Sequence, residues 1–212
     1  MWPQTLCYDW TLVSSKNTCR LPEEKVWTIH GFWPAITQIT GPNYRIARTN
    51  GSSISTPLKK FNRNWTPSGS MSRTTPTLTF LKYQWVKHGT CALSHSKLNK
   101  YKNELKYFKS TLEIFNSFDV TKILTKAEFH AGGKYFVQDL IKSIESFTGK
   151  NCQIDCIFYR QPKEYYLYQV KIYFDKSLKP IDCSKSNKSY SNCSFSKKVF
   201  YLKSVPNNPG DL

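Results

Sequence analysis

The sequence predicts a single α+β domain. Three observations point there. Side chains alternate with the period of a strand over 165–174. Apolar stripes with the period of a helix recur over 98–115 and 137–147. The length of 212 residues suits one hydrophobic core.

Composition narrows the class. Hydrophobic residues are 39% of the chain and aromatic residues 15%, a globular and not a disordered balance. No stretch approaches the roughly 20 apolar residues of a membrane helix, so no membrane span is expected. Lysine and arginine total 31 against 14 acidic residues, a formal charge of +17. That excess favours polyanionic partners: nucleic acid, heparin-like cell-surface glycans or anionic lipid. The basic residues are spread along the chain and form no tail.

Taken in order, residues 26–29 form a short β-prone run that ends at His30, and Gly31 and Pro34 break it. Residues 37–79 are rich in Ser, Thr, Asn, Gly and Pro and read as loop, with a short amphipathic helical piece over 58–65. Leu98, Tyr101, Leu105, Phe108, Leu112 and Phe115 make one helical stripe. Val137, Ile141, Ile144 and Phe147 make another, stopped by Gly149. In the strand at 165–174, Tyr166, Tyr168, Val170, Ile172 and Phe174 form an apolar face expected to point to the core. Residues 175–180 read as a turn and the end of the chain, from about 205, as a loose tail. Both helical stripes are expected to be core packing.

The seven cysteines (7, 19, 91, 152, 156, 183 and 193) lack the CxxC spacing of zinc or redox sites, and their scatter fits disulfides. An odd count leaves at least one thiol over. No zinc site or other cofactor is called for. Asn50, Asn64, Asn187 and Asn192 each begin an N-x-S/T sequon, which points to glycosylation in an oxidising compartment, although Asn192 has Cys193 at its centre.

Two of the four histidines stand in unusual settings. His30 lies in Trp27-Thr28-Ile29-His30-Gly31-Phe32-Trp33-Pro34, at the end of an apolar run. Gly31 allows close approach to the backbone, and Trp33 offers a flat face for a base. His88 lies in Tyr83-Gln84-Trp85-Val86-Lys87-His88-Gly89-Thr90-Cys91. If that segment is helical, Gln84, Lys87 and His88 share one face. Either histidine alone reads more readily as a structural residue than as a catalytic one. Together they suit phosphodiester transfer in RNA, where the 2′-hydroxyl attacks the adjacent phosphorus. One imidazole serves as base, the other as acid, and a lysine answers the phosphoryl charge, with no metal required. His95 and His130 are assigned no role.

These two segments closely resemble the signature segments of the ribonuclease T2 family. The match over 84–91 is long and specific, and the match over 27–34 differs mainly at Phe32, where the family usually has leucine. Trp2-Pro3 followed by Cys7 is similar to the family's start, and Ile181-Asp182-Cys183 to a late family segment. The resemblance implies an antiparallel sheet flanked by helices. It also implies metal-independent cleavage of single-stranded RNA through a 2′,3′-cyclic phosphate with low base specificity. Carried over by position, His88 is the general base, His30 the general acid, and Lys87 stabilises the phosphorane with help from Gln84. Trp33 holds a base. Tyr83 stands where many members have a histidine and would bind substrate. A secreted, extracellular, lysosomal or vacuolar monomer is implied.

The chain departs from the family at several places. Gln84 stands where glutamate is usual, and Ala35 where an aspartate often helps read a base. A strand that usually precedes Trp2-Pro3 is expected to be missing. The family's partner for Cys91 is absent, and Tyr173 occupies the place of a partner for Cys183. The implied bridges are Cys7–Cys19 and one from Cys193 to Cys152 or Cys156, with rearranged pairings such as Cys156–Cys183 open. These departures support a rival reading, a catalytically weakened ribonuclease-like protein that acts by binding RNA, cell-surface glycans or a protein. Retention of His30, Lys87 and His88 together favours the enzyme.

Overall fold

A parallel pairing sits inside the sheet. β1 (Lys134–Phe136), β2 (Gln153–Tyr159), β3 (Glu164–Lys171) and β6 (Lys198–Phe200) pair in the order β1-β6-β3-β2. The outer pairs are antiparallel, but β3 and β6 run parallel, with Tyr165 opposite Val199. The expected all-antiparallel sheet is therefore corrected to a mixed one, within the expected α+β class. A separate two-stranded ladder joins β4 (Tyr173–Phe174) to β5 (Pro180–Ile181). The computed structural model describes residues 1–34, 77–93, 101, 103–183 and 191–206. It forms two compact units, Met1–Thr28 with Phe118–Leu212, and Ile29–Ser117.

The first unit holds the sheet, α1 (Pro3–Val13), α5 (Val120–Lys126) and α6 (Val137–Thr148). Helix α1 adds to the elements expected from periodicity, and Pro3 at its first turn is its start signal, since proline has no N–H to leave unbonded. Helix α6 buries Val137, Leu140, Ile141 and Ile144, and Gly149 in the left-handed region ends it. Phe147, expected on the buried stripe, is exposed. Each fully buried aliphatic side chain contributes about 1.5–3 kcal/mol.

The strand expected over 165–174 breaks in two. Asp155 pairs with Gln169 but Cys156 with Leu167, so Tyr168 is an extra residue on β3. This bulge shifts the alternation, placing Leu167 and Gln169 in the interior beside Tyr166. Gln169 is housed by a bond from Nε2 to Asp155 Oδ2 at 3.4 Å. The run 26–29 joins no strand. Trp27 N–H donates to Thr121 Oγ1 at 2.9 Å and Thr28 N–H to the Met1 carbonyl at 3.0 Å, so one side-chain bond and one backbone bond, both long-range, replace a ladder. The Trp27 indole donates to the Tyr201 hydroxyl at 2.8 Å.

Two disulfides close, Cys7–Cys19 and Cys156–Cys193. Cys193 is thus bridged by Cys156; Cys152 belongs to neither bridge and is a buried thiol, as is Cys183. A Cys156–Cys183 pairing does not form. Cys156 and Cys193 are also joined through Asn192, whose side-chain amide exchanges two bonds with the Cys156 backbone, at 2.7 and 3.1 Å. Asn50, Asn64, Asn187, His95, the piece at 58–65 and residues 207–212 lie outside the described residues.

The second unit contains α2 (Thr77–Gln84), α3 (Thr90–Leu93) and α4 (Glu104–Ser117). Helix α4 buries Tyr107, Phe108 and Thr111. That face is turned from the expected Leu105–Phe108–Leu112 stripe, because Tyr107 has a hydrogen-bond partner inside and Leu105 and Leu112 stay partly exposed.

Candidate active site

Between α2 and α3 the helix widens into one π-helical turn, Trp85–Gly89. The Thr90 N–H reaches back to the Trp85 carbonyl, and the Thr90 hydroxyl donates to the Val86 carbonyl at 2.9 Å. Gly89 is required here. A Cβ on it would lie 2.2 Å from the Trp85 ring, which folds back over it. Single π turns inside α-helices gather at functional sites, because they re-aim the side chains they carry. This one carries Lys87 and His88.

The widening changes the expected face. Gln84, at the end of α2, is buried, Lys87 is exposed and His88 is half-buried. Lys87 Nζ donates to the Tyr83 phenol oxygen at 2.6 Å and lies 5.0 Å from the centre of that ring. Tyr83, a substrate-binding candidate from the sequence, therefore holds the lysine. Gln84 does not point with Lys87. Its Oε1 accepts a bond from the Trp33 indole N–H at 3.2 Å.

That bond explains Gly31. A Cβ there would lie 2.4 Å from Gln84 Oε1 and 2.7 Å from Trp33 Nε1. The space above Gly31, expected to admit a ligand, is filled by the Gln84–Trp33 pair. The Trp33 indole in turn touches both histidines. Its centre is 5.0 Å from His30, edge to face, and 5.4 Å from His88, tilted by 34°. His30, Trp33, Gln84, Lys87 and His88 are thus brought together by two segments distant in sequence.

Tyr107 secures the first of those segments and was missed as a site residue. Its hydroxyl donates to the Phe32 carbonyl, and its ring packs 5.6 Å from Trp85. The available signal was a tyrosine beside a helical apolar stripe, since a buried phenol usually has a polar partner. The Phe32 ring lies 5.7 Å from Tyr101.

The electrostatics separate His88 from ordinary histidines. Burial, then the nearby charges of Lys87 and His30, pull its pKa down to about 4. His88 is therefore a neutral imidazole across mildly acidic and neutral pH, with a lone pair ready to accept a proton. His130, by contrast, is exposed and sits 3.4 Å from Glu128.

The family model for the ribonuclease T2 family matches residues 1–183. Ribonuclease Oy of Magallana gigas is 27% identical over 98% of this chain and 95% of its own length. Extracellular ribonuclease LE of Solanum lycopersicum is 31% identical over 83% of this chain and 74% of its own. Among solved structures, ribonuclease MC1 from bitter gourd seeds superposes with a TM-score of 0.70 at 22% identity, covering 94% of this chain and 95% of that one.

Proposed function

Since the chain belongs to the ribonuclease T2 family and is an endoribonuclease of that type, we propose that it cleaves single-stranded RNA by attack of the 2′-hydroxyl on the adjacent phosphorus. His88 takes the 2′-hydroxyl proton and His30 gives a proton to the departing 5′-oxygen. The 2′,3′-cyclic phosphate is then opened by water with the two roles exchanged. Dependence on the 2′-hydroxyl restricts the substrate to RNA. The observation that carries this reading is an imidazole kept neutral, His88, electrostatically coupled to a second imidazole, His30, with one indole against both rings.

Lys87 answers the charge that develops on the phosphoryl oxygens. Gln84 has its carbonyl oxygen committed to Trp33 and so contributes by holding the indole, leaving its amide nitrogen for any direct role. Trp33 is partly exposed and presents a face on which a base can stack. Stacking has no hydrogen-bond code, which supports low base specificity. The +17 charge supports binding of the RNA backbone and, more weakly, of anionic glycans. The two disulfides and the sequons support a secreted or lysosomal-vacuolar setting, with Asn50, Asn64 and Asn187 as glycan acceptors.

The test is RNA cleavage in EDTA between mildly acidic and neutral pH, with the product ends identified. Cyclic phosphate ends that disappear in His30→Ala and His88→Ala are expected. Intact RNA in the presence of folded protein would favour the rival reading, a basic binding protein.

A further inference from the structure

We propose that Cys152 and Cys183 form a third disulfide when the chain folds in an oxidising medium. Both side chains are buried, at 1% and 6% exposure, and neither belongs to the two bridges described above. Their backbones are zipped together. Cys183 N–H donates to the carbonyl of Asn151, the residue before Cys152, at 3.1 Å. Asn151 N–H donates to Asp182 Oδ1 at 3.1 Å, and Lys150 Nζ meets Asp182 Oδ2 at 3.1 Å. This backbone bond holds the chain at Cys183 against the chain at Cys152. A disulfide spans roughly 4.4–6.8 Å between Cα atoms.

The surroundings agree. The Tyr173 hydroxyl donates to Gln153 Oε1 at 2.6 Å and also meets the Cys183 thiol, which directs that thiol toward the strand following Cys152. Burial pushes the Cys152 thiol up to about 12, and the proximity of Cys183 adds to the rise. Such a thiol holds almost no thiolate at neutral pH, so it is inert once enclosed. Closure therefore belongs to folding, while both cysteines are still in water.

With glutathione disulfide as oxidant, the Cys152 thiolate attacks one of its sulfurs and expels a glutathione thiolate. The Cys183 thiolate then attacks the Cys152 sulfur of the mixed disulfide and expels the second. The two cysteines lose two electrons and two protons, and glutathione disulfide becomes two glutathione thiols.

The experiment is alkylation of the whole chain in denaturant, after refolding with oxidised and reduced glutathione, followed by peptide mass spectrometry. Trypsin leaves Cys152 and Cys156 on one peptide, so cleavage before Asp155 is needed to part them. Expected are a Cys152 peptide linked to a Cys183 peptide, and no alkylation of either residue unless reductant is added. Cys152→Ser should make Cys183 alkylatable while Cys156–Cys193 stays linked. Alkylation of both Cys152 and Cys183 without reductant would overturn the proposal, as would a link from Cys152 to Cys193. Neither readout depends on RNA cleavage.

Discussion

Gln84 is bound to Trp33 and not to Lys87, its expected neighbour on a helix face. The indole N–H reaches Gln84 Oε1 at 3.2 Å, inside the space left by the missing side chain of Gly31. This pair fixes the indole that lies against both His30 and His88. The position of the indole thus rests on the acceptor oxygen of residue 84.

Gln84→Leu removes that acceptor, and the expected cost is about 1 kcal/mol, a roughly fivefold loss in kcat/KM. Gln84→Glu keeps the acceptor and adds negative charge, which favours the imidazolium form of His88. Its acid limb should move to higher pH. Steady-state cleavage of a short oligoribonucleotide across pH reads both, and an unchanged Gln84→Leu enzyme would remove the positioning role.

In the proposed mechanism Lys87 acts on the phosphoryl oxygens, and its charge also acts on His88. With His88 at about 4, the protonated, inactive form of the base accumulates only below that pH, so kcat/KM should fall off as pH drops through about 4. Lys87→Met removes a positive neighbour, so protonation of His88 becomes easier and the acid limb moves up. The move is partial, because burial is the larger cause. The rate should fall roughly 10²–10³-fold, the scale for losing one charge-stabilising group. A pH–rate profile of the two proteins checks the sign, and a limb moving down would contradict it.

Tyr83→Phe deletes the oxygen that holds Lys87 Nζ at 2.6 Å. Because both side chains are exposed, stability should stay within about 0.5 kcal/mol. The loss should appear in kcat, with Lys87 less well placed, and should vanish in a Lys87→Met background. A double-mutant cycle in kcat/KM measures this coupling. Additive effects would place Tyr83 on the substrate instead.

Two glycines should separate site from scaffold. Gly31→Ala drives a methyl group into Gln84 and Trp33, costing roughly 1–3 kcal/mol in overpacking and displacing the indole from the histidines. Activity should fall further than stability. At Gly149, φ is +70° and nothing lies within 4 Å of an added Cβ. Gly149→Ala should therefore cost about 1–2 kcal/mol of backbone strain alone, leaving kcat/KM unchanged. Urea unfolding beside the cleavage assay resolves the two.

The sequence by itself determined the family and the α+β class, and it singled out His30 and His88, which the structure brings to one indole, that of Trp33. These are carried by local patterns, legible without contacts. The segments 27–34 and 84–91 are continuous. Only the tertiary structure decided how those residues face one another. Gln84 turned to Trp33 while Lys87 bonded Tyr83, and a bulge at Tyr168 put Gln169 inside. Tyr107 turned α4 by finding a carbonyl in the His30 segment, and Cys193 took Cys156 over Cys152. Each outcome turns on a single inserted residue or one long-range hydrogen bond. Periodicity averages over such details, whereas packing and the pairing of buried polar groups do not.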